Sequence, residues 1–422
     1  MDKLLYERYT LILKEELVSA TGCTEPIAIA YGAAKAKETL NLIPKSVLVE
    51  VSDNIIKNAK SVIVPNTNQL KGIKVAVAAG IIAGKSINNL DVISDVSLKH
   101  QSLIKEFSET VPIELKTVHS NHPFDLQITL YHGKETAKVR IANHHTNIVL
   151  IEKNGEVLFR KSYVDESLEQ PLKTLTIKSI IEFADTTDLT PLIPLLDTQI
   201  HNNMNIALEG LKSDYGANIG KVIMKQFGND IKTKAKALAA AASDARMSGA
   251  TFPVTIVAGS GNQGLTASIP VIAYAEALKV SKEKLYRALI VSNLVTVHQK
   301  RHIGPLSAYC GAVFSGAGSG AGIAYLHDEK FEGIAHTIVN ALAIVSGMIC
   351  DGAKPSCAAK IATSVDAGIL AYEMVKEGQE FYGGDGIIAK GVEETINNVA
   401  RLAKDGMKDT DKEIIKIMTE FI

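Results

Sequence analysis

The sequence predicts an α+β protein: a mostly helical domain, residues 1–44 and 166–422, with a strand-rich α/β domain inserted at 45–165. Three observations carry this. Residues beyond about 172 run as long Ala- and Gly-rich segments of helical composition almost to the end. Residues 45–165 hold short β-branched runs, and Asn154-Gly155 between two apolar stretches is a hairpin signal. Trp is absent and aromatics are only 5%, so the core is built from Ala, Val, Ile and Leu, which suits closely packed helices.

In chain order, residues 2–20 read as an amphipathic helix with Leu5, Leu11, Leu13 and Leu17 among charges, broken at Thr21-Gly22. A second helix starts with Thr24 as N-cap and Pro26 in its first turn, where the missing N–H costs little. SVLVEV and SVIVP then read as short strands, while GIKVAVAAGIIAG fits a buried helix or a strand. VPIELKTV, DLQITLYHG, ETAKVRIA and NIVLIEKNGEVLFR complete the strand-rich part. Helices follow in DIKTKAKALAAAASDARMSGA, SIPVIAYAEALKV, KEKLYRALIVSNLVTVHQ, AHTIVNALAIVSGMIC and EETINNVARLAKDGM.

Lys plus Arg number 45 and Asp plus Glu 46, which leaves no electrostatic case for nucleic acid or an anionic membrane. The apolar stretch TIVNALAIVSGMIC is short of the roughly 20 residues that span a bilayer. The N-terminal segment is charged throughout and has no signal-peptide core. A cytoplasmic protein with a small-molecule substrate is expected, as a homo-oligomer. Four cysteines in such a chain are not a disulfide framework.

Cys23, Cys310, Cys350 and Cys357 each stand beside Gly or Pro at an apparent helix end: TGCTEP, AYCGAV and MICDGAKPSC. An isolated free cysteine is ordinarily a small buried hydrophobe. On a straight helix, Cys350 and Cys357 would be separated by about 10.5 Å of rise, too far to share a metal cluster. Gly352 and Pro355 break the helix near Cys350, so the chain can loop back. The spacing is not that of a zinc ribbon, and it leaves zinc and iron–sulfur chemistry both open.

GSGNQG, residues 259–264, matches a dinucleotide fingerprint after the strand-like PVTIVA, but helices follow it, and Glu283 opens one of them. Its other reading is a helix start at Gly259, Ser260, Gly261, Asn262 and Gln263 whose amides bind a carboxylate, against a plain helix–helix turn. AGIIAGKS lacks the first glycine of a phosphate loop, having Ala79 there. SGAGSGAG reads as close backbone packing. His298 and His302 lack the Glu of a zinc helix and read as a partly solvated face. His145, at a strand mouth, and Lys354, between two cysteines, are candidates to contact a substrate.

TGCTEP, GSGNQG, HIGPLSAYCG and CDGAKPSCAAK together resemble the L-cysteine desulfidase family, related to the alpha-type iron–sulfur L-serine dehydratases. The resemblance runs over almost the whole chain, in order. It implies that the helical domain is catalytic and that the protein is a cytoplasmic lyase without pyridoxal phosphate. It implies a [4Fe-4S] cluster held by Cys310, Cys350 and Cys357, and Cys23 at the active site as a base or occasional fourth ligand. Pro305 departs from the pattern, standing where a polar or basic residue is expected. The implied reaction is β-elimination of L-cysteine to pyruvate, ammonium and sulfide. L-Serine dehydration by the same chemistry and a non-catalytic zinc- or cluster-binding regulatory role are the alternatives. Three thiolates on four irons leave one iron open as a Lewis acid. A Cys23 thiolate would gain from the helix start beside it.

Overall fold

The computed structural model describes residues 3–118, 124–161, 173–303 and 307–420; Pro305 lies outside them. Helix α1 (Lys3–Glu16) ends earlier than its charge pattern suggests. The next residues are recruited as a short strand, β1 (Ser19–Thr21), pairing antiparallel with β8 (Pro253–Thr255). That ladder brings two segments more than 230 residues apart into register, with Ser19 opposite Thr255 and Thr21 opposite Pro253.

Helix α2 (Thr24–Leu40) leads to a six-stranded mixed sheet: β2 (Ser46–Val51), β3 (Ile113–Thr117), β4 (Asp125–His132), β5 (Glu135–Ala142), β6 (Ile148–Lys153) and β7 (Glu156–Arg160). The spatial order is β3-β2-β4-β5-β6-β7. Only β2 and β3 are parallel. Parallel neighbours need a crossover, and α3 (Asp53–Ala59), α4 (Ile73–Ala83) and α5 (Leu98–Thr110) supply it. Alternate residues turn inward, Val47, Val49 and Val51 on β2 and Leu126, Ile128 and Leu130 on β4. Asn154 and Gly155 both have positive φ (52° and 84°), which makes the β6–β7 turn of the primed type expected from the sequence. SVIVP is not a strand; only Ile63 bridges, to Lys71. GIKVAVAAGIIAG resolves as helix α4, which packs on α2, and α2 itself lies across β4 and β5.

The helical part comprises α6 (Ile177–Thr186), α7 (Ile193–Lys212), α8 (Ile219–Phe227), α9 (Ile231–Met247), α10 (Gly261–Leu278), α11 (Lys282–Arg301), α12 (Gly311–Leu326), α13 (Phe331–Ile344), α14 (Cys357–Lys376), α15 (Val392–Arg401) and α16 (Lys408–Glu420). Helix α12 is its centre, buried from Ala312 to Leu326 and packed against α10, α11, α13 and α14. SGAGSGAG lies on α12 and works by close approach. A Cβ at Gly316 would come within 2.3 Å of the Ser364 carbonyl oxygen, and one at Gly320 within 2.7 Å of that of Gly368. Residue 316 thus faces 364 and 320 faces 368, so α12 and α14 run parallel. Their N-terminal ends, Cys310 and Cys357, come to the same end of the pair. Gly318 faces Ser292 and Thr296 and Gly322 faces Ala288, so α11 runs antiparallel to α12 and its last turn, with Lys300, reaches that end too.

Two expectations are corrected here. The helix before the cysteine pair ends at Ile344, short of Cys350. His298 is fully buried rather than partly solvated, because its Nε2 meets the Glu393 carboxylate at 2.7 Å.

Candidate active site

Gly22 (φ 76°) turns the chain out of β1, and Cys23 follows as the N-cap of α2. Thr24 is therefore the first helical residue, not the cap; Cys23 takes the extended backbone a cap requires (φ −79°, ψ 134°). The Cys23 Sγ–H donates to Glu25 Oε2 at 3.2 Å, and the Thr24 hydroxyl reaches the same oxygen at 3.1 Å. Across the β1–β8 ladder, Val257 and Ser260 close a tight turn whose central residues, Ala258 and Gly259, both have positive φ. Ala258 at φ 50° is in a conformation costing a non-glycine residue roughly 1–2 kcal/mol. Its N–H donates to the Glu16 side chain, and Thr24 Oγ1 donates to the Gly259 carbonyl at 3.3 Å. The turn delivers the chain into α10 with no side-chain cap at Ser260. GSGNQG is thus a helix start after a three-residue antiparallel strand, not a dinucleotide fold.

Cys310 caps α12, and an isolated bridge between Tyr309 and Ile349 sets Cys350 beside it. Cys310 N–H donates to Met348 O (3.0 Å) and Cys350 N–H to Ala308 O (2.6 Å). From Cys350 the chain turns at Gly352 (φ 95°), packed against the Lys57 carbonyl of α3, and re-enters helix at Cys357. Cys357 Sγ lies 3.7 Å from the Gly352 carbonyl oxygen.

All four cysteines line one cavity of about 470 Å³. Four helix N-termini open on it: α2 with Cys23, α10 with Asn262 and Gln263, α12 with Cys310 and Gly311, and α14 with Cys357. Helix N-termini carry partial positive charge and unpaired N–H groups, so this is a place for anions. The loop between β5 and β6 contributes His145, whose ring packs edge-on to Phe124 and against Gly259. Five buried polar atoms of the lining residues lack a partner among the described residues: His145 Nε2, Arg246 Nε, Gln263 Oε1, Arg301 Nη1 and the Tyr309 hydroxyl. Such groups cost about 1–3 kcal/mol each when left unpaired, so their concentration around one cavity marks a ligand site.

Burial, then the Glu25 carboxylate, holds the Cys23 thiol well above its usual range. The sequence expectation of a thiol eased by its helix start is corrected accordingly: desolvation and a neighbouring carboxylate outweigh the dipole. Burial, with Cys350 next to it, pushes Cys310 up to about 12, and burial also raises Cys357. Burial pulls Lys300 down to about 8 against the opposing pull of the Cys350 and Cys310 sulfurs. Burial lifts Glu16 to about 7 and lowers His145.

Among the described residues, no three His, Cys, Asp or Glu side chains are grouped for a single metal ion. The donor set of Cys310, Cys350 and Cys357 does fit an iron–sulfur cluster in kind. It offers three thiols at two helix starts and one bridged loop, with Lys300 and Lys360 close enough to interact with Cys310 and Cys350. Thiolates are the ligands such clusters take, and nearby cations offset their charge.

Of the candidates named from sequence, Gly259, Ser260, Asn262, Gln263 and His145 line the cavity with the four cysteines. Gly261 lies just behind, under the Arg246 guanidinium. Lys354 is not in the lining; it is ion-paired with Asp351, and Lys300 and Lys360 stand in the wall instead. Sequence reasoning missed Glu16, Glu25, Arg246 and Lys300. Glu25 was visible inside TGCTEP; Arg246 was visible as a charge at the end of the Ala-rich α9.

The model of the serine dehydratase alpha chain family matches residues 44–416. A UPF0597 protein of Desulfitobacterium hafniense is 58% identical over 415 residues, covering 98% of this chain and 96% of that protein. UPF0597 proteins of Lachnoclostridium phytofermentans and Treponema denticola are 46% and 44% identical, covering 98% and 99% of this chain and 100% and 99% of their own lengths.

Proposed function

The chain belongs to the serine dehydratase alpha chain family, and from that premise we propose that it is a lyase that eliminates the β-substituent of L-cysteine, giving sulfide, pyruvate and ammonium. The observation that supports this most is the convergence of Cys23, Cys310, Cys350 and Cys357 on one cavity ringed by helix N-termini. Cys310, Cys350 and Cys357 would hold a [4Fe-4S] cluster. When bound, that cluster supplies a Lewis acid for the departing thiolate or hydroxide.

The chain's own residues supply proton handling and orientation. Cys23 Sγ rests protonated against Glu25 Oε2. Passing that proton to Glu25 leaves a thiolate able to take the Cα proton, the step for which an amino acid needs a base placed close by. The α10 amides face the anionic end of the substrate. The apolar packing of α12 and α14 behind the thiols keeps bulk water from that side. The aminoacrylate so formed tautomerises and hydrolyses to pyruvate and ammonium.

The test is an anaerobic assay of the purified protein with L-cysteine and with L-serine. Equal sulfide and pyruvate from L-cysteine is the expected result. Pyruvate from L-serine alone would reassign the substrate within the same chemistry. No pyruvate from either would end the lyase reading.

A further inference from the structure

We propose that Arg246 is the anchor for the substrate's α-carboxylate and thereby restricts the cavity to free amino acids. This inference rests on the lyase reading for the identity of the substrate, but not for the existence of the site.

Arg246 stands in the last turn of α9, is 3% exposed, and lines the cavity. A buried guanidinium is normally matched by a carboxylate, because an uncompensated buried charge is costly. Among the described residues no ion pair includes Arg246. Its Nη1 donates to the Asn262 Oδ1 atom at 3.1 Å, a neutral acceptor. Its Nε is buried with no acceptor among the described residues. The site is built around it. A Cβ at Gly261 would lie 2.4 Å from Nε and 2.6 Å from Cζ, so the first residue of α10 must be glycine for the guanidinium to lie over the helix start. Ser243 Oγ and Arg246 both donate to Asn262 Oδ1, so the Asn262 amide is turned back to hold the arginine. Asn262 is accordingly a positioning residue for Arg246.

The guanidinium and the free N–H groups at the start of α10 together form a fork and a nest of donors on one wall. That combination favours a planar carboxylate, whose two charged oxygens meet both sets of donors, over an amide or ester, which offers one neutral carbonyl oxygen in its place. Arg246 lines the same cavity as Cys23 and Cys357, and its charge reaches both sulfurs.

The experiment is calorimetric titration of the anaerobically purified protein with L-alanine and L-alaninamide. Both lack a leaving group, so binding is read without turnover. Wild type is expected to bind L-alanine at least about tenfold more tightly than the amide, as loss of a charge-assisted pair implies. Arg246→Gln is expected to bind both equally weakly, and Arg246→Lys to fall between, because a lysine cannot make the two-pronged contact. In the L-cysteine assay, KM should rise about tenfold or more while kcat changes little, the signature of lost uniform binding. Circular dichroism and melting temperature monitor the fold. L-Alanine binding unchanged in a folded Arg246→Gln protein, or no preference for alanine over alaninamide in wild type, overturns the proposal. Arg246-dependent alanine binding in a protein that releases no pyruvate would keep the carboxylate site and remove the lyase reading instead.

Discussion

The cavity has two walls of opposite character. One is built from the N-terminal segment, where Cys23 donates to Glu25, Thr24 reaches the Gly259 carbonyl and Glu16 holds the Ala258 turn. The other is built from α11, α12 and α14, where Cys310, Cys350 and Cys357 lie among Lys300 and Lys360. Cys23, Cys310 and Cys357 stand at helix starts and Cys350 is bridged beside Cys310, so the helix dipole does not by itself separate the two walls. The neighbouring charges do. On the proposed reading, a cationic setting favours three sulfurs that would become anionic on binding iron, whereas the carboxylate beside Cys23 favours the protonated thiol. On that reading the same residue type would take two tasks, set by its side-chain neighbours.

The sharpest test of this division compares substitutions on the two walls. Cys350→Ser is expected to lose the iron and sulfide of the protein and all measurable turnover, read by iron analysis and by the visible absorption of the cluster. Cys23→Ser is expected to retain most of the iron but lose about 10²–10⁴-fold in turnover, the range general-base removal produces. If Cys23→Ser loses iron as fully as Cys350→Ser, the two walls do not differ in kind and Cys23 is a ligand.

Glu25→Gln probes the neighbour instead of the thiol. Iron content should be unchanged, and kcat/KM should fall by about 10–100-fold because the acceptor for the Cys23 proton is gone. The Cys23 thiol itself should become easier to ionise, since both the charge of Glu25 and its hydrogen bond hold it up. Alkylation of Cys23, followed by mass spectrometry across pH, should therefore shift to lower pH in the variant. A shift to higher pH would mean that Glu25 does not oppose the thiolate.

Much of the fold was legible because it rests on local signals. The Asn154-Gly155 turn, the alternation in β2 and β4, and the small residues of α12 each state their structure over a few positions. The β1–β8 ladder was not legible: two three-residue strands carry no periodicity, and their pairing depends on a contact across more than 230 residues. That ladder aligns TGCTEP with GSGNQG, so the geometry of the site was hidden even though both motifs could be read. Cysteines at helix ends were readable from Gly and Pro. Lys300 and Arg246 were not, because a charge near the end of a helix looks like a solvated one until the helix partners are known. His298 failed for the same reason.

Glu16 gives the smallest expected effect and tests whether the acidic wall carries a cost. Its carboxyl is lifted from 4.5 to about 7, chiefly by burial, although the Ala258 N–H works against the rise. The folded protein therefore binds a proton there more tightly than the unfolded chain does. The resulting stability is fully present below pH 4.5 and is lost as pH rises through about 7. Glu16→Gln keeps the shape and removes the titration, so the variant should gain stability relative to wild type between pH 5 and pH 8, by about 1–3 kcal/mol. Urea unfolding at the two pH values measures this directly. An unchanged difference between wild type and variant across that window would mean that Glu16 is ionised without cost, and that the acidic character of this wall is compensated by solvent rather than stored in the fold.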